Sequence, residues 1–311
     1  MIFGDAQKKQ KKGRCEMTID KMFDDFIEYC KSNQLSNRTI DEYTRIFYKF
    51  VQEMDIDDIE EIDKRLLLQY QNNMIKRGLM NNTINSNTTV ICIFLKWMKE
   101  NGYIFTLPTV KPLKVTSKRQ PMFTEAEVMK LITFKSEYKK NFVNYRNYIS
   151  CYIMANTGCR VSSMLELKVE DLDINNGLLT FKKMKNQKPH TIPIDWELQE
   201  ELQKYIKVCN FTNSDYIICS AYGNKMDRSS LGLALKKYAK NKGIEFNGHH
   251  SFRRYFITKK VKDGIDMFAL AKYVGHSNSK MIEQIYYQYS VDHMRSVVLK
   301  NKNNVRKKIT L

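Results

Sequence analysis

The chain has 311 residues, and its 52 Lys+Arg against 34 Asp+Glu give a formal charge of +18. An excess of that size attracts a polyanion, so a nucleic acid is the expected partner. A hydrophobic fraction of 42% beside 28% charged residues excludes a disordered chain, and the length suits roughly two domains of about 150 residues each.

No run approaches the roughly 18 apolar residues of a membrane span, and the opening MIFGDAQKKQKKGR has no apolar core. A cytoplasmic protein with no membrane partner is expected. Seven cysteines are scattered without a C-x-x-C pair, so neither a disulfide framework nor a zinc knuckle is implied. Five histidines form no H-E-x-x-H, and there is no G-x-x-x-x-G-K-[ST] loop. No metal and no nucleotide cofactor are therefore expected.

Residues 1–17 are a basic tail containing KKQKKGR. From 18 to 108 the pattern is helical. Thr18 caps a helix with the apolar face Met22, Phe23, Phe26, Ile27 and Cys30, and a second face repeats at Ile40, Tyr43, Phe47 and Phe50. Leu66 to Met74 runs into an Arg77-Gly78 stop, and Thr83 to Met98 runs to a left-handed end at Asn101-Gly102. Four such helices make a small bundle whose Lys, Arg, Asn and Thr suit phosphate contacts. Pro108, Pro112 and Pro121, interleaved with Lys111, Lys114, Lys118 and Arg119, mark a linker over 109–120 that shows neither helical nor strand period.

The second domain, 121–311, opens with a capping box at Thr124 and Glu127. Phe142 to Asn156 predicts an amphipathic helix closed by Gly158. The period then changes: Leu178 to Lys183 and Thr191 to Ile194 predict two strands of a hairpin around the turn Met184 to Pro189, with helices resuming at Asp195. The C-terminal KNKNNVRKK reads as a second phosphate-seeking arm, and Val297, Val298 and Leu299 in the stretch Val291 to Leu299 are apolar enough to dock on a neighbouring protomer or on their own domain.

Four short motifs follow one another in this domain. Asn156-Thr157-Gly158-Cys159-Arg160 puts an arginine at a helix junction, where its planar fork of donors can enter a cleft. Lys185 sits at the hairpin tip amid Lys182, Lys183 and Lys188. In 248-GHHSFRRYFITKK-260, His250 and Arg253 are three apart and share a helical face. In 274-VGHSNSKMIEQIYYQYS-290, His276 follows a glycine and precedes Tyr286, Tyr287 and Tyr289. Taken singly, each has a plainer reading: a surface arginine, a solvated lysine turn, a chance spacing and aromatic core packing.

In this order, T-G-x-R, a lysine-tipped hairpin, H-x-x-R, and G-H followed about ten residues later by tyrosine, the series resembles the tyrosine recombinases, or phage integrase family. The resemblance extends to 35-LSNRTIDEYTRIFYKF-50 and 77-RGLMNNTINSNTTVICIFLKWMKENG-102, which look like the family's core-binding domain, and to 122-MFTEAEVMKLI-132, which looks like the opening of its catalytic domain. It implies a mainly α fold with a small β-sheet: a helical SAM-like core-binding domain and an α+β catalytic domain. It implies a site-specific DNA recombinase of simple Xer-like or mobile-element type, working through a 3′-phosphotyrosyl intermediate. A homo-tetramer on two duplex sites follows, and an accessory DNA-bending protein is admitted.

Carried over by position, Arg160 and Arg253 resemble the catalytic arginines, Lys185 the hairpin lysine, His250 and His276 the two histidines and Tyr286 the nucleophile. The chemistry needs these types. The pentacoordinate transition state gathers charge on non-bridging oxygens, which two guanidinia and an imidazole clamp. A histidine near neutral pKa exchanges the tyrosine proton, and a lysine protonates the departing 5′-oxygen. Because the phosphotyrosyl link keeps the bond energy, rejoining requires no cofactor. Lys183 stays open for the hairpin role, and Tyr287 and Tyr289 for the nucleophile. Ser163 stands where many members carry an acidic residue, a loss that Glu166 or Glu170 would have to offset. A binder of this fold without chemistry and a type IB topoisomerase are the competing readings.

Overall fold

The computed structural model describes residues 18–115, 121–182, 189–276 and 279–289, the side chains of Gln288 and Tyr289 excepted. The chain divides into two compact units, Met1–Lys118 and Arg119–Leu311. Both charged tails, the hairpin tip and the stretch Val291 to Leu299 lie outside the described residues. No helix of the described residues is long and apolar enough to cross a membrane.

The first unit is built from α1 (Ile19–Ser32), α2 (Asn37–Met54), α3 (Lys64–Lys76) and α4 (Asn81–Glu100). Local chemistry sets their starts: the side chains of Thr18, Ser36 and Asp63 accept from the backbone N–H groups of Lys21, Thr39 and Leu66, satisfying donors that a helix leaves unpaired. A short 3₁₀ turn, Ile59–Glu61, carries an Asp58–Glu61 capping box that the periodicity does not reveal. Helix α4 ends as expected, with the left-handed residue at Gly102 (φ +74°) rather than Asn101.

The core of this unit is aromatic. Phe23 stacks on Phe47 with ring centroids 3.7 Å apart, and Phe94 meets Phe23, Phe26 and Phe47 edge-on. Each such ring, buried from water, contributes about 1.5–3 kcal/mol. The apolar faces read from the sequence are the buried faces, with Met22, Ile27 and Tyr43 at their half-buried margins.

The second unit starts with α5 (Glu125–Leu131), whose Thr124–Glu127 capping box forms as expected. Its centre is α6 (Phe142–Thr157), closed by Gly158 at φ +59°. The expectation of an amphipathic helix is corrected here: Tyr145 to Cys151 are all buried, as are Ile153, Met154, Ala155 and Thr157. A helix buried all round is a central one, and α6 packs against α8 (Trp196–Cys209), α9 (Arg228–Lys240) and α10 (His249–Lys262). Its buried Arg146 is satisfied by Asn147 Oδ1 and the Cys219 carbonyl.

After the short α7 (Val161–Met164) comes an antiparallel sheet in the order β1 (Leu172–Asp173), β2 (Leu178–Phe181), β3 (His190–Pro193). The hairpin is present with Phe181 opposite His190, so β2 ends earlier than Lys183, and β1 is an added strand. Beyond α10, α11 (Met267–Tyr273) and α12 (Lys280–Tyr289) pack on α10 around Phe256, Ile257, Leu270, Val274 and Ile282.

Candidate active site

Two chain reversals, at Gly158 and at Val274–His276, face each other and are joined by arginines. Arg253 donates from Nη1 to the Gly158 carbonyl at 2.7 Å and from Nη2 to the Val274 carbonyl at 2.8 Å. Arg160 donates from Nη1 to the Gly275 carbonyl at 3.2 Å. Arg160 is the residue before α7 and Arg253 lies one turn into α10, so helices far apart in sequence bring the two guanidinia to one corner.

Among the described residues neither arginine pairs with a carboxylate. Burial, with the Arg160 charge beside it, lowers Arg253 to about 10, so it stays protonated at neutral pH. His276, whose backbone N–H donates to the Ala271 carbonyl at 2.8 Å, has its imidazole depressed to about 4 by burial and by both arginines, and its Nδ1 is buried with no partner. His250 is lowered by burial and then by Arg228, Arg254, Arg253 and Arg160. Buried cations facing only carbonyl dipoles are costly, and an anion with several acceptor oxygens relieves that cost. The corner has the donors to receive an anion.

Cys159, in the same corner, is held up to about 11 by burial despite the pull of Thr157 and Arg253, so it is a thiol and no nucleophile. Tyr286 lies on α12, nearly buried, and α12 packs on α10 and α11 of the same chain. Tyr287 beside it is 58% exposed, with ring centroids 6.2 Å apart. Four of the sequence candidates, Arg160, His250, Arg253 and His276, are thus brought together electrostatically, with Tyr286 on the adjoining helix. Lys185, with its alternative Lys183, lies outside the described residues.

Ser163 is buried; of the two acids named to offset it, Glu166 pairs with Lys225, and Glu170 with Lys182 at 2.7 Å. Lys182 is also held by Asp171 at 2.7 Å, which fixes the root of the hairpin. Sequence reasoning missed His190, whose ring nitrogen bonds the Tyr273 carbonyl at 2.8 Å, while Tyr273 returns its hydroxyl to the Pro193 carbonyl at 3.0 Å. This pair ties β3 to the reversal that carries His276. His190 stands in the quoted run K-N-Q-K-P-H-T-I-P-I, yet nothing local marks its partner 83 residues away.

Gly158 is a further support. A Cβ there would stand 2.5 Å from Phe256 Cδ1 and would face φ +59°. Gly158→Ala is expected to destabilise the second unit by roughly 2–4 kcal/mol, from left-handed strain plus overpacking. Calorimetric unfolding checks this, with a clear fall in Tm expected for that unit.

The phage integrase family model matches residues 121–293. The chain belongs to the phage integrase family. The family's N-terminal SAM-like domain model matches residues 22–104 as well. Among curated relatives, tyrosine recombinase XerA of Pyrococcus horikoshii is 26% identical over 294 residues, covering 94% of this chain and 97% of the relative. Tyrosine recombinase XerD of Halalkalibacterium halodurans is 24% identical over 292 residues, covering 90% and 97%.

Of solved structures, a lambda integrase dimer bound to a COC' core site shares the fold with a TM-score of 0.72 at 17% identity, over 88% of this chain and 97% of that one. A Tn1549 transposon integrase in complex with transposon right end DNA gives 0.71 at 20% identity, over 92% and 100%. This family member is accordingly a mainly helical tyrosine recombinase with a small sheet, and its activity is site-specific DNA recombination by cleaving and rejoining strands. Among the described residues no group of three or more His, Cys, Asp or Glu could hold a metal ion.

Proposed function

We propose that the chain cleaves duplex DNA by attack of the Tyr286 hydroxyl on a backbone phosphate, leaving a 3′-phosphotyrosyl link and a free 5′-hydroxyl, and that it does so to integrate or excise a mobile element. The observation that carries this reading is the corner of Arg160, Arg253 and His276, cationic, without a carboxylate and with a buried unpartnered imidazole nitrogen. A phosphate oxygen meets each of these needs at once.

In this scheme Arg253 and Arg160 hold the two non-bridging oxygens, and His276 Nδ1, in the tautomer that carries its proton, donates a third hydrogen bond. Burial first, and then the four surrounding arginines, lower the pKa of His250 and favour its neutral form, which can accept the tyrosine proton. Lys185 gives the leaving oxygen its proton. Rejoining is the same path reversed, with a new 5′-hydroxyl as nucleophile. Because Tyr286 sits on a helix packed against its own α10 and α11, each protomer attacks with its own tyrosine. The charge of +18 and the assemblies of structural relatives, a lambda integrase dimer on a COC' core site and a lambda integrase tetramer on a Holliday junction, support a tetramer acting on two duplexes.

The test uses nicked duplexes made from the DNA flanking the gene, incubated with the full chain and run on a denaturing gel. A protein–DNA band that resists denaturant and disappears with protease is expected. Duplex affinity should fall with salt at a log–log slope of about −0.9 per phosphate neutralised. Binding that ignores salt, or tight binding with no covalent band on any flank, counts against the proposal.

A further inference from the structure

The chain between the two units is held from both sides. On the first unit, Asn85 of α4 makes a two-way amide contact with the backbone of Leu113: Nδ2 donates to its carbonyl at 2.9 Å, and Oδ1 accepts from its N–H at 2.8 Å. One turn earlier, Asn81 Nδ2 donates to the Lys114 carbonyl at 2.7 Å. Leu107, Val110 and Leu113 pack half-buried on the bundle core. Residues 107–114, which carry no helical or strand period, are therefore strapped along α4.

On the second unit, the Pro121 carbonyl accepts from Ser251 Oγ at 3.1 Å and from Arg254 Nη1 at 2.9 Å, and Phe123 is fully buried 4.7 Å from the Phe252 ring. Ser251, Phe252 and Arg254 alternate on α10 with His250 and Arg253. The far end of the strap is thus fastened to the helix that carries half of the anion site.

We propose that Asn81 and Asn85 pin residues 107–114 to the first unit, that Ser251 and Arg254 pin Pro121 to the second, and that the number of residues left between the pins sets how strongly the two units grip one duplex. The second half of the proposal rests on the DNA reading above. Only residues 115–120 separate the pins, and the seven peptide steps from Lys114 to Pro121 span at most about 25 Å when fully extended. A tether that short keeps the second unit at high effective concentration once the first is bound. Releasing residues 107–114 lengthens it from six residues to fourteen. On the −3/2 power law this lowers the effective concentration, and so the affinity of the whole chain, by about 3.5-fold.

Two full-length variants test it. The double variant Asn81→Ala/Asn85→Ala removes the Lys114 bond and both Leu113 bonds. The other variant keeps both asparagines and inserts eight Gly/Ser residues between Ser117 and Lys118, which leaves α4 untouched. Each is titrated with a fluorescein-labelled duplex of the gene-flanking DNA, and each is treated with limiting trypsin, the products being mapped by mass spectrometry. Both variants are expected to bind about 3.5-fold more weakly with an unchanged salt slope. The double alanine variant alone should expose cleavage after Lys114 relative to Lys118 and Arg119. Unchanged cleavage after Lys114 overturns the pin. An insertion variant that binds as tightly as wild type overturns the role of strap length. A wild type that binds no duplex refutes the DNA reading instead, and the tryptic comparison still decides the strap.

Discussion

Tyr286→Phe is expected to abolish the covalent protein–DNA band altogether, with duplex affinity within about twofold of wild type, because only the attacking oxygen is removed. The ring stays in place: Tyr286 is 6% exposed on α12, and a phenylalanine fills the same volume. Tyr287→Phe is the internal control. Its ring is 58% exposed, so the substitution strains nothing, and the adduct should form at close to the wild-type rate. The measurement is the denaturing gel on nicked duplex, with fluorescence anisotropy for binding. Loss of the band in Tyr287→Phe or Tyr289→Phe, with Tyr286→Phe active, keeps the chemistry and moves the nucleophile. A band that survives all three substitutions refutes a tyrosine nucleophile on this helix.

What the sequence made legible follows from the range of the interactions involved. Caps and helix faces are written within four residues, so Thr18, the Thr124–Glu127 box and the Phe47–Phe50 face could be read directly and are found as read. The environment of α6 could not, because its polar positions Arg146, Asn147 and Ser150 suggest a wet face. They are satisfied instead by Asn147 Oδ1, the Cys219 carbonyl and the Arg146 carbonyl inside the domain. Strand β1, at two residues, is too short to show any period. The strap was hidden for a related reason: Asn85 supplies the pairing groups that a neighbouring strand would supply, across 28 residues of chain.

The candidate site divides in the same way. Its residue types were legible because motif order carries them, and the structure brings Arg160, Arg253, His250 and His276 to one corner. Their supports were not legible. The carbonyls of Gly158, Val274 and Gly275 that hold the guanidinia bear no side-chain signal, and they lie 95, 21 and 115 residues from the arginines they bind.

The second large effect concerns the arginines. Arg253→Ala should slow cleavage by about a thousandfold or more, and Arg160→Ala by about a hundred- to a thousandfold, the scale of losing one preorganised donor to a developing oxyanion. Arg253 ranks first because it is the more buried and holds both reversals, at Gly158 and Val274, whereas Arg160 bonds the Gly275 carbonyl. Stability should not follow activity. Deleting Arg253 removes a buried cation that faces no carboxylate, so the lost carbonyl bonds are partly offset by the desolvation no longer incurred. Tm is therefore expected to move far less than a thousandfold rate loss, equal to about 4 kcal/mol, would suggest. Single-turnover cleavage and calorimetry on the same samples separate the two quantities, and a rate loss that tracks unfolding overturns the clamp. A linked readout comes from His276. With its pKa depressed to about 4 chiefly by burial and by these arginines, it is neutral at pH 7. Removing either guanidinium raises that pKa toward 6.5, so below pH 6.5 the imidazole binds a proton more readily in Arg253→Ala than in wild type. An NMR titration of the His276 ring should therefore shift to higher pH in the variant. An unmoved curve would mean that burial alone depresses the imidazole and that the arginine is not beside it.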